Sequence, residues 1–107
     1  MVHIAICDDE KHMSDYIRSF VSDFFRKKNR EFSLRMFSSG EELLNYNGQI
    51  DILFLDIQMK EMDGMETARK LRADKFRGFL VFITVLKEMV FQSFEVQAYD
   101  YLVKPVD

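Results

Sequence analysis

Two runs of this chain, Ile50-Asp51-Ile52-Leu53-Phe54-Leu55 and Phe79-Leu80-Val81-Phe82-Ile83-Thr84, are almost continuously apolar. A strand with one wet face alternates apolar and polar residues. A run with little alternation suits a strand buried on both sides, as in a parallel sheet covered by helices. His3-Ile4-Ala5-Ile6-Cys7 is a shorter segment of the same kind. Glu31 to Phe37 does alternate, with Phe32, Leu34 and Met36 on one face, and reads as an edge strand; Tyr99 to Val103 is a fifth candidate.

Helical patterns fill the gaps. Met13, Ile17, Phe20, Val21 and Phe24 form the stripe of an amphipathic helix. Ser39, with Glu42 three positions on, makes a capping box before Leu43-Leu44, and Asn47-Gly48 stops that short helix. Met65, Ala68 and Leu71 give a third stripe, and Glu88 to Gln97 a fourth with Val90, Phe91 and Phe94 apolar. The order β-α-β-α-β-α-β-α-β predicts an α/β fold: a doubly wound, five-stranded parallel sheet with right-handed crossovers. No helix follows the fifth strand before Asp107. The expectation is one domain over residues 1–107, truncated before its final helix, with part of one sheet face left uncovered.

Composition narrows the function classes. A net charge of −3 excludes a module that binds nucleic acid by neutralising phosphates. No apolar run approaches the roughly 20 residues that span a bilayer, and no basic leader precedes the first strand. The single Cys7 forms no internal disulfide, which fits a reducing, cytoplasmic location.

In an open α/β sheet, ligands bind beyond the carboxyl ends of the strands. Asp8, Asp9 and Glu10 follow the first strand, Asp56 the third, Thr84 ends the fourth, and Lys104 follows the fifth. Each has an ordinary explanation by itself: a helix cap, a local hydroxyl–backbone bond, a solvated lysine. Together, at the ends of four strands, they form a chemically coherent set. Converging carboxylates call for a cation, and hard oxygen donors suit Mg²⁺. A carboxylate ionised at neutral pH can attack phosphorus without a general base, while an ammonium and a hydroxyl stabilise the transferring group.

These residues carry a family likeness. Ala5-Ile6-Cys7-Asp8-Asp9-Glu10, Leu55-Asp56-Ile57-Gln58-Met59 with Met62-Asp63-Gly64-Met65-Glu66, Ile83-Thr84, and Asp100-Tyr101-Leu102-Val103-Lys104-Pro105 resemble the receiver domain of bacterial two-component response regulators. Phe94 to Leu102 looks most like the branch whose receivers precede a LytTR DNA-binding domain (the LytR/AlgR type). The resemblance implies the flavodoxin-like strand order 2-1-3-4-5, an order that belongs to the family and that these residues alone leave open. It implies that Asp56 is the phosphoacceptor, that Asp9 binds Mg²⁺ directly and Asp8 through water, and that the backbone carbonyl of Gln58 is a further ligand. It matches Thr84 and Lys104 to the phosphate-contacting pair and Tyr101 to an aromatic switch. The implied function is to take a phosphoryl group from a sensor histidine kinase and change conformation to control an output domain, here transcriptional. Such a domain promotes only its own phosphorylation and dephosphorylation, and is otherwise no enzyme.

Two positions depart from the family pattern. Val85 stands where a small residue is usual in the family, so narrower access to Asp56 is expected. Lys60 stands where proline is frequent, which implies a looser loop after the phosphoacceptor. Met89, Phe91 and Phe94 cannot all face inward from one helix, so a homodimer or segment-exchanged oligomer is expected through the face of the fourth helix and fifth strand. Contact with membrane, or of this domain with nucleic acid, is not expected. Cys7 reads as a small buried hydrophobe, and His3 and His12 lack metal-ligand spacing. Three rival readings are weaker. A nucleotide or flavin module would need a Gly- or hydroxyl-rich loop where Asp8-Asp9-Glu10 stands. A phosphohydrolase would need an acid where Gln58 stands. A pseudo-receiver would lack part of the acid, hydroxyl and ammonium set.

Overall fold

The computed structural model describes residues 1–84 and 92–103. The elements in chain order are β1 (Val2–Cys7), α1 (Lys11–Lys27), β2 (Phe32–Phe37), α2 (Gly40–Leu44), β3 (Ile52–Leu55), α3 (Gly64–Ala73), β4 (Phe79–Thr84), a 3₁₀ turn (Gln92–Val96) and β5 (Asp100–Val103). The five strands form one sheet in the order β2-β1-β3-β4-β5, and every pair is parallel. The doubly wound parallel sheet is the one expected from the sequence, and its strand order is the one the family resemblance implies.

Alternate residues of the central strands go to opposite faces, because the side-chain period of a strand is two. Ala5 and Cys7, Leu53 and Leu55, and Leu80 and Phe82 build one core with Leu43 of α2 and Met65 and Ala68 of α3. Ile4, Ile6, Val81 and Ile83 build the other with Ile17 and Val21 of α1. The two cores explain why these strands show so little polar alternation. β2 is an edge strand, and Phe32, Leu34 and Met36 lean on the α1 core from one face, as their alternation predicts.

Three local expectations change. The α1 stripe is wider than the surface it covers: Ile17 and Val21 are buried, but Phe20 is 60% and Phe24 50% exposed. With Phe54, Phe79, Tyr99 and Leu102 they line an apolar groove of about 600 Å³ along the sheet. The second helix ends at Leu44, with Asn45 as its C-cap, before the Asn47-Gly48 signal is reached. Its start is as expected: the Ser39 hydroxyl accepts from the Glu42 amide at 3.1 Å, while the Glu42 carboxylate reaches the amide of Ser38 instead of closing the box on Ser39. Of the fourth helical stretch, Gln92–Val96 is a 3₁₀ turn. Met89, Val90 and Phe91 lie outside the described residues; Phe94 is 72% exposed.

Candidate functional site

The carboxyl ends of β1 and β3 are adjacent because these strands pair directly, Cys7 opposite Leu55. The Asp56 amide donates to the Cys7 carbonyl at 3.0 Å, and the Asp8 amide to the Phe37 carbonyl at 3.1 Å, so both acids leave the sheet from hydrogen-bonded positions. Asp8, Asp9 and Asp56 thereby present carboxylate oxygens that all lie within 4.8 Å of one another. Asp8 and Asp56 are buried and Asp9 is exposed.

Each carboxylate also receives a main-chain N–H. Glu10 donates to Asp8 Oδ1 at 2.9 Å, Gln58 to Asp56 Oδ1 at 3.3 Å, and Lys60 to Asp9 Oδ2 at 3.0 Å. The first two are two-residue turns of the kind aspartates make locally. The third crosses from the β3–α3 loop to the β1–α1 loop and joins the two halves of the site. Sequence reasoning missed it, since a main-chain donor leaves no side-chain signature. The loop expected to be looser for want of a proline is therefore held: replacing proline supplies an N–H that proline lacks.

α3 starts against the same site. Asp63 caps it, its carboxylate accepting from the Glu66 amide at 2.8 Å, and the Gly64 amide donates to the Ile57 carbonyl at 2.7 Å. A Cβ on Gly64 would lie 1.9 Å from the carbonyl oxygen of Asp56, so only glycine lets the helix approach this closely.

Thr84 is fully buried at the end of β4, opposite Val103 of β5. It stands on the same rim, because Phe82, two residues earlier, pairs with Leu55 just before Asp56. Tyr101 lies in β5 opposite Phe82. Its side chain, Lys104, Val85 and Met89 fall outside the described residues. Cys7 is buried beneath the acids, its thiol 3.9 Å from Met59 Sδ and 3.4 Å from the Ser39 carbonyl. Burial first, and then the negative charge of Asp8, Glu42, Asp56 and Asp9, pushes this thiol up to about 12. It is thus a packed, protonated group, as the sequence implies.

Two unit charges 4.8 Å apart repel by about 3.5 kcal/mol at an effective dielectric of 20. The three acids thus gain from a shared cation, and an all-carboxylate donor set fits a small, hard divalent ion. Among the described residues no helix is long and apolar enough to cross a membrane.

Three aspartates converging beyond β1 and β3 of a doubly wound parallel sheet make this an α/β domain with an acidic rim at the carboxyl ends of its strands. Residues 4–107 match the family model described as the response regulator receiver domain, and the chain belongs to that family. It is 30% identical over 112 residues to the transcriptional regulatory protein BtsR of Escherichia coli, an alignment covering 100% of this chain and 44% of BtsR. It is 35% identical over 71 residues to the transcriptional regulatory protein YpdB of the same species, covering 64% of this chain and 29% of YpdB. The chain thus spans less than half the length of these relatives. Among solved structures, the response regulatory domain of MrkE from Klebsiella pneumoniae superposes with a TM-score of 0.82 at 26% identity, over 99% of this chain and 85% of that one. The response regulator TrrA of Thermotoga maritima, solved in complex with Mg²⁺ and beryllofluoride, gives 0.76 at 25% identity, over 100% and 90%.

Proposed function

We propose that this receiver domain accepts a phosphoryl group on Asp56 from the phosphohistidine of a sensor histidine kinase and relays the change to a transcriptional output domain of the LytTR type. The observation that carries the proposal is the convergence of Asp8, Asp9 and Asp56 within 4.8 Å, with Asp56 at the carboxyl end of a central strand. An Asp56 carboxylate oxygen attacks phosphorus, the phosphorus–nitrogen bond breaks, and its electron pair stays on the imidazole. The product is an aspartyl phosphate, which makes the domain a phosphoacceptor and not a turnover enzyme.

Asp8, Asp9, Asp56 and the backbone carbonyl of Gln58 would hold Mg²⁺, whose charge offsets that of the acids and of the incoming phosphoryl oxygens. TrrA, a structural neighbour, was solved with this ion and a phosphoryl mimic, which supports the assignment. The Thr84 hydroxyl and Lys104 ammonium contact the phosphoryl oxygens, and Tyr101 follows Thr84 as it moves. Phosphorylation adds nearly two negative charges at the rim. A shift from 1:99 to 99:1 between two conformations needs about 5.5 kcal/mol of differential stabilisation, within reach of several charge-assisted bonds. The exposed Phe94 supports a homodimer contact on the neighbouring face.

The test is Asp56→Asn. Incubation with acetyl phosphate and Mg²⁺ adds one phosphoryl mass to the wild type and none to the variant, read by intact-protein mass spectrometry. Chelation of Mg²⁺ abolishes the gain. Equal uptake by the variant, or uptake unaffected by chelator, refutes the assignment.

A further inference from the structure

The hydrogen bond from the Lys60 amide to Asp9 joins two loops that are 51 residues apart in sequence, and it falls on the one exposed carboxylate of the site. Asp8 and Asp56 are packed in place by the sheet ends around them. Asp9 has no such packing, so its rotamer must be fixed by something else. The loop that supplies the donor is itself constrained. Met59 is buried against Cys7, and Glu61, directly after Lys60, takes a left-handed φ of 63°. That conformation disfavours a side chain with a Cβ, so surrounding contacts must hold it. The Met59 and Gly64 amides both donate to the Ile57 carbonyl, closing the loop at its two ends.

We infer that the main-chain N–H of Lys60 is a positioning group for divalent-cation binding, holding Asp9 Oδ2 so that the carboxylate meets the ion beside Asp8 and Asp56. The inference rests on the proposed metal-assisted reading of this site. A donor that orients a ligand from outside the coordination sphere typically matters by 10- to 100-fold in metal affinity. With Asp9 exposed, the lower end applies, about tenfold. The side chain of Lys60 plays no part in the bond, so the residue acts through the one feature that a proline would remove.

The experiment titrates the protein with Mg²⁺ alone and follows the backbone amide resonances of Glu10 and Gln58, whose N–H groups touch Asp8 and Asp56. Wild type and Lys60→Ala, which keeps the amide, are expected to share one dissociation constant. Lys60→Pro is expected to bind about tenfold more weakly while still folding. A Lys60→Pro constant equal to wild type overturns the inference, as does a Lys60→Ala loss as large as that of Lys60→Pro. No Mg²⁺ response in the wild type defeats the metal-assisted reading itself. Should Lys60→Pro not fold, hydrogen exchange decides. The Lys60 amide is protected in the metal-free wild type and exchanges at least tenfold faster in Asp9→Ala; equal rates overturn the inference.

Discussion

Arg72 is where one substitution should separate the far end of α3 from the rest of the fold. From the last turn of that helix its guanidinium donates to four main-chain carbonyls: Val96 at 2.7 Å, Phe76 at 2.9 Å, Gly78 at 3.0 Å and Gln97 at 2.9 Å. It also stacks over the Phe76 ring, 5.1 Å from the centroid. The planar fork thus ties the lead-in to β4 and the end of the 3₁₀ turn to one helix. Lysine, with three donors on one atom, cannot reproduce it. Three of the bonds are part-buried and one is exposed. At roughly 1 kcal/mol net for each part-buried bond, Arg72→Ala should cost about 3 kcal/mol, a large share of the 5–15 kcal/mol typical of a domain. The corresponding drop in Tm is about 12 °C for a chain of this size. The acceptors are neutral carbonyls, so the loss should barely change with salt. The nearby exposed pair Arg69–Glu95, at 3.3 Å, is different: its removal should cost under about 1 kcal/mol and less still in high salt. Urea unfolding at two salt concentrations reads both. The Tyr99 amide, which donates to the Leu80 carbonyl, should lose exchange protection in Arg72→Ala before the β1 amides do. A cost below about 1 kcal/mol, or one no greater than that of Arg69→Ala, would refute the reasoning, because four bonds to one cation would then be worth no more than a surface ion pair.

Three further outcomes follow from single features. Cys7, with its thiol pushed up to about 12 against 9.0 unfolded, should resist a thiol reagent at pH 8 until the protein unfolds. Because the unfolded thiol gives up its proton first, stability should be intact below pH 9 and fall as pH rises from there toward 12. Cys7→Ala should flatten that fall, and an unchanged slope in a pH series of urea melts counts against burial as the cause. Asp63→Ala removes the α3 cap and should cost about 1 kcal/mol by the same melts, with Asp63→Asn retaining most of it. Phe20→Ser, at a site 60% exposed, should cost under about 1 kcal/mol, whereas Phe82→Ala, fully buried, should cost about 3–5 kcal/mol.

Much of this protein could be read directly from its residues. The unbroken apolar runs of β3 and β4 reported burial on both faces, and both cores exist because residues such as Leu53 and Phe54 point to opposite helical layers. The acids were legible too, since Asp8, Asp9 and Asp56 directly follow strands whose carboxyl ends must share a rim in any parallel sheet. What periodicity could not tell was how far a helix's stripe is covered. Phe20 and Phe24 repeat like core residues, yet they overhang the sheet, because a stripe records which way a side chain points and not what meets it there. Nor could it show the bonds made through the main chain. The Lys60 N–H at Asp9 and the four carbonyls around Arg72 are chosen by loop path, and any non-proline residue offers the same amide. The order of strand types and the identity of the acids were thus fixed by sequence, through burial and charge. The distances among those acids, and what holds each one in place, were decided only when segments some 50 residues apart closed on one another.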